Sequence, residues 1–244
     1  MATHLLHGGD TEFDVPAEWT ERSRVVLEPI AAPSILGLFG FAGATFIVAA
    51  HLAGWYGGNS TALYLFPFAA IFGGLAQFIA GLYSYRARDG LGTAMHGMWG
   101  SFWLAYGVLY GFVAVGAIAD PGTNQSGLGF WFFVLAAITL MGTVAALAEN
   151  LALFTVLFSL SGGALCLAIG FVAGVSAWVT VGGYFLVVSA GLAFYTASAM
   201  MLNSSYNRTI LPLGASGAHD GAASPPRPSR TMYEPPRSGD AIPR

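Results

Sequence analysis

Between Glu28 and Arg208 the only charged side chains are Arg86, Arg88, Asp89, Asp120 and Glu149, and the runs between them are long and apolar. A helix crosses the hydrocarbon core of a bilayer with roughly 20 predominantly apolar residues, and a charge at its centre costs about 2.5 to 3.5 kcal/mol. Charges therefore survive at span ends, and this spacing is that of an integral membrane protein. Hydrophobic residues fill 55% of the chain and charged residues 9%, against roughly 25% charged in soluble domains.

The pattern predicts an all-α membrane protein with six transmembrane helices, at 33–53, 63–85, 96–118, 128–148, 151–174 and 178–202. Turn formers or charges break the apolar runs at Gly54 to Ser60, Arg86 to Gly92, Asp120 to Gly127, Glu149-Asn150 and Gly174 to Ala177. Arg22 and Arg24 precede the first span, Arg86 and Arg88 join the second to the third, and Arg208 follows the sixth. With six spans these sites share one side, and the positive-inside rule makes both termini cytoplasmic. Three regions are expected: an N-terminal cytoplasmic segment 1–32, a six-helix membrane domain 33–214 and a disordered cytoplasmic tail 215–244. The first is acidic and lacks the apolar core of a signal peptide; the last is rich in Pro, Ser, Gly and Arg and cannot bury enough apolar surface to fold.

Several functions are excluded by composition. The net charge of −3 comes with no clustered basic face, so no nucleic-acid partner is expected. All nine basic residues are arginine, which removes a retinal Schiff base or a lysine nucleophile. A single cysteine, Cys166, leaves no disulfide framework or multi-thiolate metal site within the chain. The sequence offers no nucleophile, base and orienting residue in a recognisable set, so no catalytic residue, metal or cofactor is expected.

The polar residues within or beside the spans are His51, Gln77, His96, Ser101, Glu149, Asn150, Ser159 and Ser161. In hydrocarbon such groups face protein or water. Gln77 falls near midspan and serves either an interhelical hydrogen bond or a substrate contact. His51 and His96 lie near predicted span ends, as interfacial groups or as a proton relay. Pro33, followed by Ser34 to Leu38, marks a helix entry whose free amides form a positive dipole end suited to a carboxylate, or simply a capped first span. Phe39, Phe41, Trp99, Phe102, Trp103 and Tyr106 recur at helical spacings, as a pore constriction or as a lipid-facing belt. The glycines of spans one, two and five allow close helix packing in a compact bundle or oligomer. These residues reach a small-solute transporter or channel without its substrate.

Four segments in order, Leu36-Gly37-Leu38-Phe39-Gly40-Phe41, Gly73 to Leu82, Gly100-Ser101-Phe102-Trp103 and Arg208 to Gly214, resemble the acetate uptake transporter family, also called the succinate-acetate transporter or GPR1/FUN34/YaaH-type family. The similarity covers roughly residues 32 to 214. The family's first signature reads Asn-Pro-Ala-Pro-Leu-Gly-Leu, where this chain has Ala32-Pro33-Ser34-Ile35-Leu36-Gly37-Leu38 and so lacks the asparagine and second proline.

The resemblance implies a six-helix protomer in a homo-hexamer of the plasma membrane, each protomer with its own path for acetate or other small carboxylates, succinate among them. The family's constriction maps onto Phe41, Trp99 and Leu160, with tryptophan where tyrosine is common. The implied path runs from the mouth at Pro33, Leu36 and Gly37 past Gln77 and Ser101 to that constriction. Since an anion isolated in low dielectric pays a large desolvation penalty and the neutral acid much less, protons are expected as co-substrates. The alternative is a channel for acetate or a neutral solute such as ammonia, without obligatory proton coupling.

Overall fold

The computed structural model describes residues 30–58, 60–119 and 126–214. Segment 1–32 up to residue 29, the tail from residue 215, and Asp120 lie outside the described residues. Six long helices account for nearly all of the rest, and there is no strand among the described residues. They are α1 (Ser34–Leu52), α2 (Thr61–Ala87), α3 (Gly90–Ala114), α4 (Ser126–Ala146), α5 (Leu151–Ala173) and α6 (Ser176–Tyr206). All but α3 are long and apolar enough to cross a membrane by composition alone. α3 carries His96, Ser101, two tryptophans, two tyrosines and six glycines in its 25 residues, which dilutes its hydropathy.

Each helix packs on its neighbour in sequence, and α6 returns to α1, so the six close into a ring. The α3–α4 seam is the most sparsely packed. The inner faces of α1, α3, α4, α5 and α6 supply the core, from Leu38 and Phe41 through Trp99, Phe102, Leu135 and Leu160 to Leu186. Phe68, Phe72, Val108, Phe130, Met141, Phe158 and Phe194 are exposed on the outside. So much apolar surface is untenable in water and natural against lipid or a second protomer.

Local chemistry explains the element ends. Asp89 N-caps α3, its Oδ1 accepting the Gly92 N–H at 2.7 Å, so α3 begins at Gly90 rather than at the expected residue 96. Arg88, in the left-handed region at φ 57°, is all that separates α2 from that cap. Asn150 caps α5 in the same way, accepting the Leu153 N–H at 2.8 Å. Inside α2, Pro67 offers no N–H to the preceding turn, and beyond it Ala69–Ala76 widens into a π-helix.

After α6 the chain folds back as a strap. Asn203 Oδ1 accepts the N–H groups of Ile210 and Leu211, its Nδ2 donates to the Leu211 carbonyl, and the Tyr195 hydroxyl donates to the Pro212 carbonyl. The strap's last carbonyls, of Leu213 and Gly214, then accept the Ala152 and Leu151 N–H groups at the start of α5. The Arg208 to Gly214 segment thus satisfies amides that a helix start would otherwise leave unpaired.

Candidate functional site

Two cavities lie inside the ring, end to end. The wide one, of about 680 Å3, is lined by the late part of α1, the start of α2, the late part of α3, the start of α4 and the late part of α5. The narrow one, of about 30 Å3, is lined by the start of α1, the late part of α2, the start of α3 and the start of α5. The helices therefore alternate in direction, and Arg86, Arg88 and Arg208 all belong to the narrow-cavity end. The wide cavity matches a small-molecule site, whereas the narrow one has room for only about one or two waters.

Trp99 and Leu160 line both cavities and form their common wall. Phe41 completes it, its ring edge-to-face with Trp99 at 6.3 Å between centroids. All three are nearly fully buried. The Trp99 indole is not free to swing, because its Nε1–H donates to Thr139 Oγ1 at 3.0 Å, and Thr139 is wholly buried on α4. Phe102 lies edge-on to Trp99 at 5.4 Å and continues an aromatic wall into the wide cavity.

On the narrow side stand Gln77 from α2 and His96 from α3, 2% and 5% exposed. Gln77 Oε1 and His96 Nδ1 are buried without a hydrogen-bond partner. The His96 ring lies against Gly37, where a Cβ would come within 2.4 Å of Nδ1; a side chain there would displace the imidazole. Asp89 and Glu149 also line this cavity. The wide side presents His51, Thr45 and Trp103. His51 Nδ1–H donates to the Tyr56 carbonyl at 3.1 Å, while Thr45 Oγ1 and Trp103 Nε1 are buried and unpartnered.

Not every residue expected on the path faces a cavity. Ser101 is exposed on the outer face of α3 and donates to the Gly97 carbonyl of its own helix at 2.7 Å. Leu36 is 46% exposed, and Leu38 takes the cavity position on α1 instead. Pro33 initiates α1 without lining either cavity. The dipole end it creates already has an anion beside it: Ser34 Oγ–H donates to Asp89 Oδ2 at 3.4 Å. Ser159 and Ser161 are structural, donating to carbonyls of α5 and α4. Sequence reasoning names Trp103 and Glu149 only among the aromatic and polar candidates and misses Thr45, Thr139 and Asp89. A hydroxyl at midspan in the otherwise apolar α1 and α4 was the available signal for the two threonines.

Among the described residues no group of His, Cys, Asp and Glu side chains is placed to hold a metal ion, and Cys166 is a buried free thiol. What the arrangement offers is a largely apolar compartment with a few polar side chains on each side of a dry aromatic wall, within a closed ring of helices whose outer faces are apolar. That defines a polytopic membrane protein with an internal path for a small solute. The chain belongs to the GPR1/FUN34/yaaH family, whose sequence pattern matches residues 20–214. It is 31% identical to the succinate-acetate/proton symporter SatP of Escherichia coli K12 over 77% of this chain and 97% of that protein. It is 30% identical to ammonia transport outward protein 2 of Saccharomyces cerevisiae, over 69% of this chain and 61% of that one. Among solved structures it matches that of the bacterial acetate channel SatP with a TM-score of 0.70 and 30% identity, covering 76% of this chain and 99% of that one.

Proposed function

We propose that this protein carries acetate and other small carboxylates, succinate among them, across the plasma membrane together with protons. The observation that carries the reading is the wall of Phe41, Trp99 and Leu160 between two largely apolar cavities that each hold a few polar side chains. Such a wall is too dry for a bare carboxylate, whose desolvation costs far more than that of the neutral acid. The relatives named as an acetate channel and a succinate-acetate/proton symporter supply the substrate class. Thr45, His51, Trp103 and Tyr106 are among the residues that line the wide cavity. The path then passes the wall to Gln77, with Gly37 and Leu38 on the α1 side. The arginines of the narrow-cavity end support a cytoplasmic location for both termini under the positive-inside rule. The apolar outer face suits association into a hexamer.

A second reading, a channel for acetate or for ammonia without obligatory proton coupling, is favoured by the relatives named as an acetate channel and an ammonia transport protein. Competition separates the substrates. Uptake of labelled acetate into proteoliposomes is expected to fall with excess unlabelled acetate or propionate and to be unmoved by methylammonium. Inhibition by methylammonium alone would assign the path to ammonia.

A further inference from the structure

The wall depends on how one ring is held. Trp99 faces both cavities, so the angle of its indole sets how much of the passage between them it covers. Phe41 and Phe102 pack edge-on against that ring and bring apolar contact without a directional bond. The directional contact comes from α4, where Thr139 Oγ1 accepts the Trp99 Nε1–H at 3.0 Å, with both residues buried.

This bond crosses the most sparsely packed seam of the ring. Along the seam Phe102 meets Phe132 at 5.3 Å between ring centroids, Trp99 meets Thr139, and Met95 lies against Gly142. The two flanking contacts are apolar, and neither fixes a ring angle at Trp99. Thr139 itself is not among the residues that line either cavity.

We propose that Thr139 is the positioning residue that sets the size limit of the path. Its hydroxyl holds the Trp99 indole across the wall, so that acetate passes and acids with longer carbon chains are held back. This rests on the transport reading above and on Trp99 as its gate. A buried N–H left without an acceptor carries the full cost of its desolvation. The wide cavity beside the ring, of about 680 Å3, has room for the ring edge and for water. An indole freed from α4 therefore turns its N–H that way, and the wall thins. Thr143, one turn further along α4, supplies the contrast: its buried hydroxyl donates to the Thr139 carbonyl at 2.8 Å, within its own helix and away from the indole.

The test measures labelled acetate, propionate and butyrate uptake into proteoliposomes, each above that of protein-free vesicles. It compares wild type, Thr139→Val, Thr139→Ser and Thr143→Val. Thr139→Val keeps the shape without the hydroxyl and should raise the butyrate-to-acetate ratio about threefold to tenfold, the effect of one buried hydrogen bond. Thr139→Ser and Thr143→Val should keep the wild-type ratio. If Thr139→Val fails to fold, Thr139→Ala takes its place, because it differs from Thr139→Ser by the hydroxyl alone. Since Thr139 acts through the indole, adding Thr139→Val to Trp99→Phe should shift the ratio no further than Trp99→Phe does alone. A wild-type ratio in Thr139→Val, an equal shift in Thr139→Ser or Thr143→Val, or a further shift in the double variant overturns the proposal while leaving transport intact. No uptake of any of the three acids by the wild type removes the transport reading and this inference with it.

Discussion

Trp99 combines a large ring with a fixed orientation. It packs on Phe41 and Phe102, and a single buried hydrogen bond to Thr139 sets its rotation. Replacing Trp99 by Ala is expected to open the wall and raise propionate and butyrate flux relative to acetate, at a stability cost of about 3 to 5 kcal/mol. Unchanged flux ratios in a folded variant would contradict the gate. At this scale Gln77, singled out by its place in an apolar run, and Trp99, named through the family resemblance, both line the narrow cavity. The sequence was less legible where helical phase decides. Ser101 follows Trp99 by two residues and Leu36 precedes Leu38 by two, about 200° around a helix in each case, so neither can share its partner's face. The orphan Nε1 of Trp103 and the Thr139 anchor depend on what the neighbouring helices bring, which no single-helix pattern contains.

Among the elements, charge gaps and turn formers placed all six helices, and the misplaced boundary is instructive. Gly90-Leu91-Gly92, the end of the Arg86 to Gly92 break, reads as non-helical because glycine is a poor helix former. The Asp89 cap nevertheless satisfies the first amides, and the glycines let α3 meet its neighbours closely: a Cβ on Gly92 would strike Asp89 and Ser84. The π-helical stretch of α2 follows Pro67 and lies where Gly73 meets the Trp103 ring, a match of backbone to side chain invisible in a hydropathy profile. The strap of residues 208–214 was read only as a family motif, and its hydrogen bonds give it a physical role. Asn203→Ala removes three of them, one to a carbonyl and two from amides, and should lower the melting temperature of the purified protein by several degrees, corresponding to about 1 to 3 kcal/mol. An unchanged melting temperature would show that the strap does not hold α5.

For the whole molecule, the charges that first revealed the spans also mark one end of the path. Asp89 and Glu149 line the narrow cavity, and Arg86 and Arg88 lie exposed beside it. Among the described residues no arginine that could trap a carboxylate lines either cavity. On the proposed reading, such a path admits a small acid best without charge. Carrying one acetate anion with one proton moves no net charge, and this separates the account from an anion channel. The decisive measurement is labelled acetate uptake into proteoliposomes with the pH gradient and the membrane potential set independently. Uptake that follows the pH gradient and is unaffected by potential is predicted; uptake that follows the potential with no pH gradient would contradict the account.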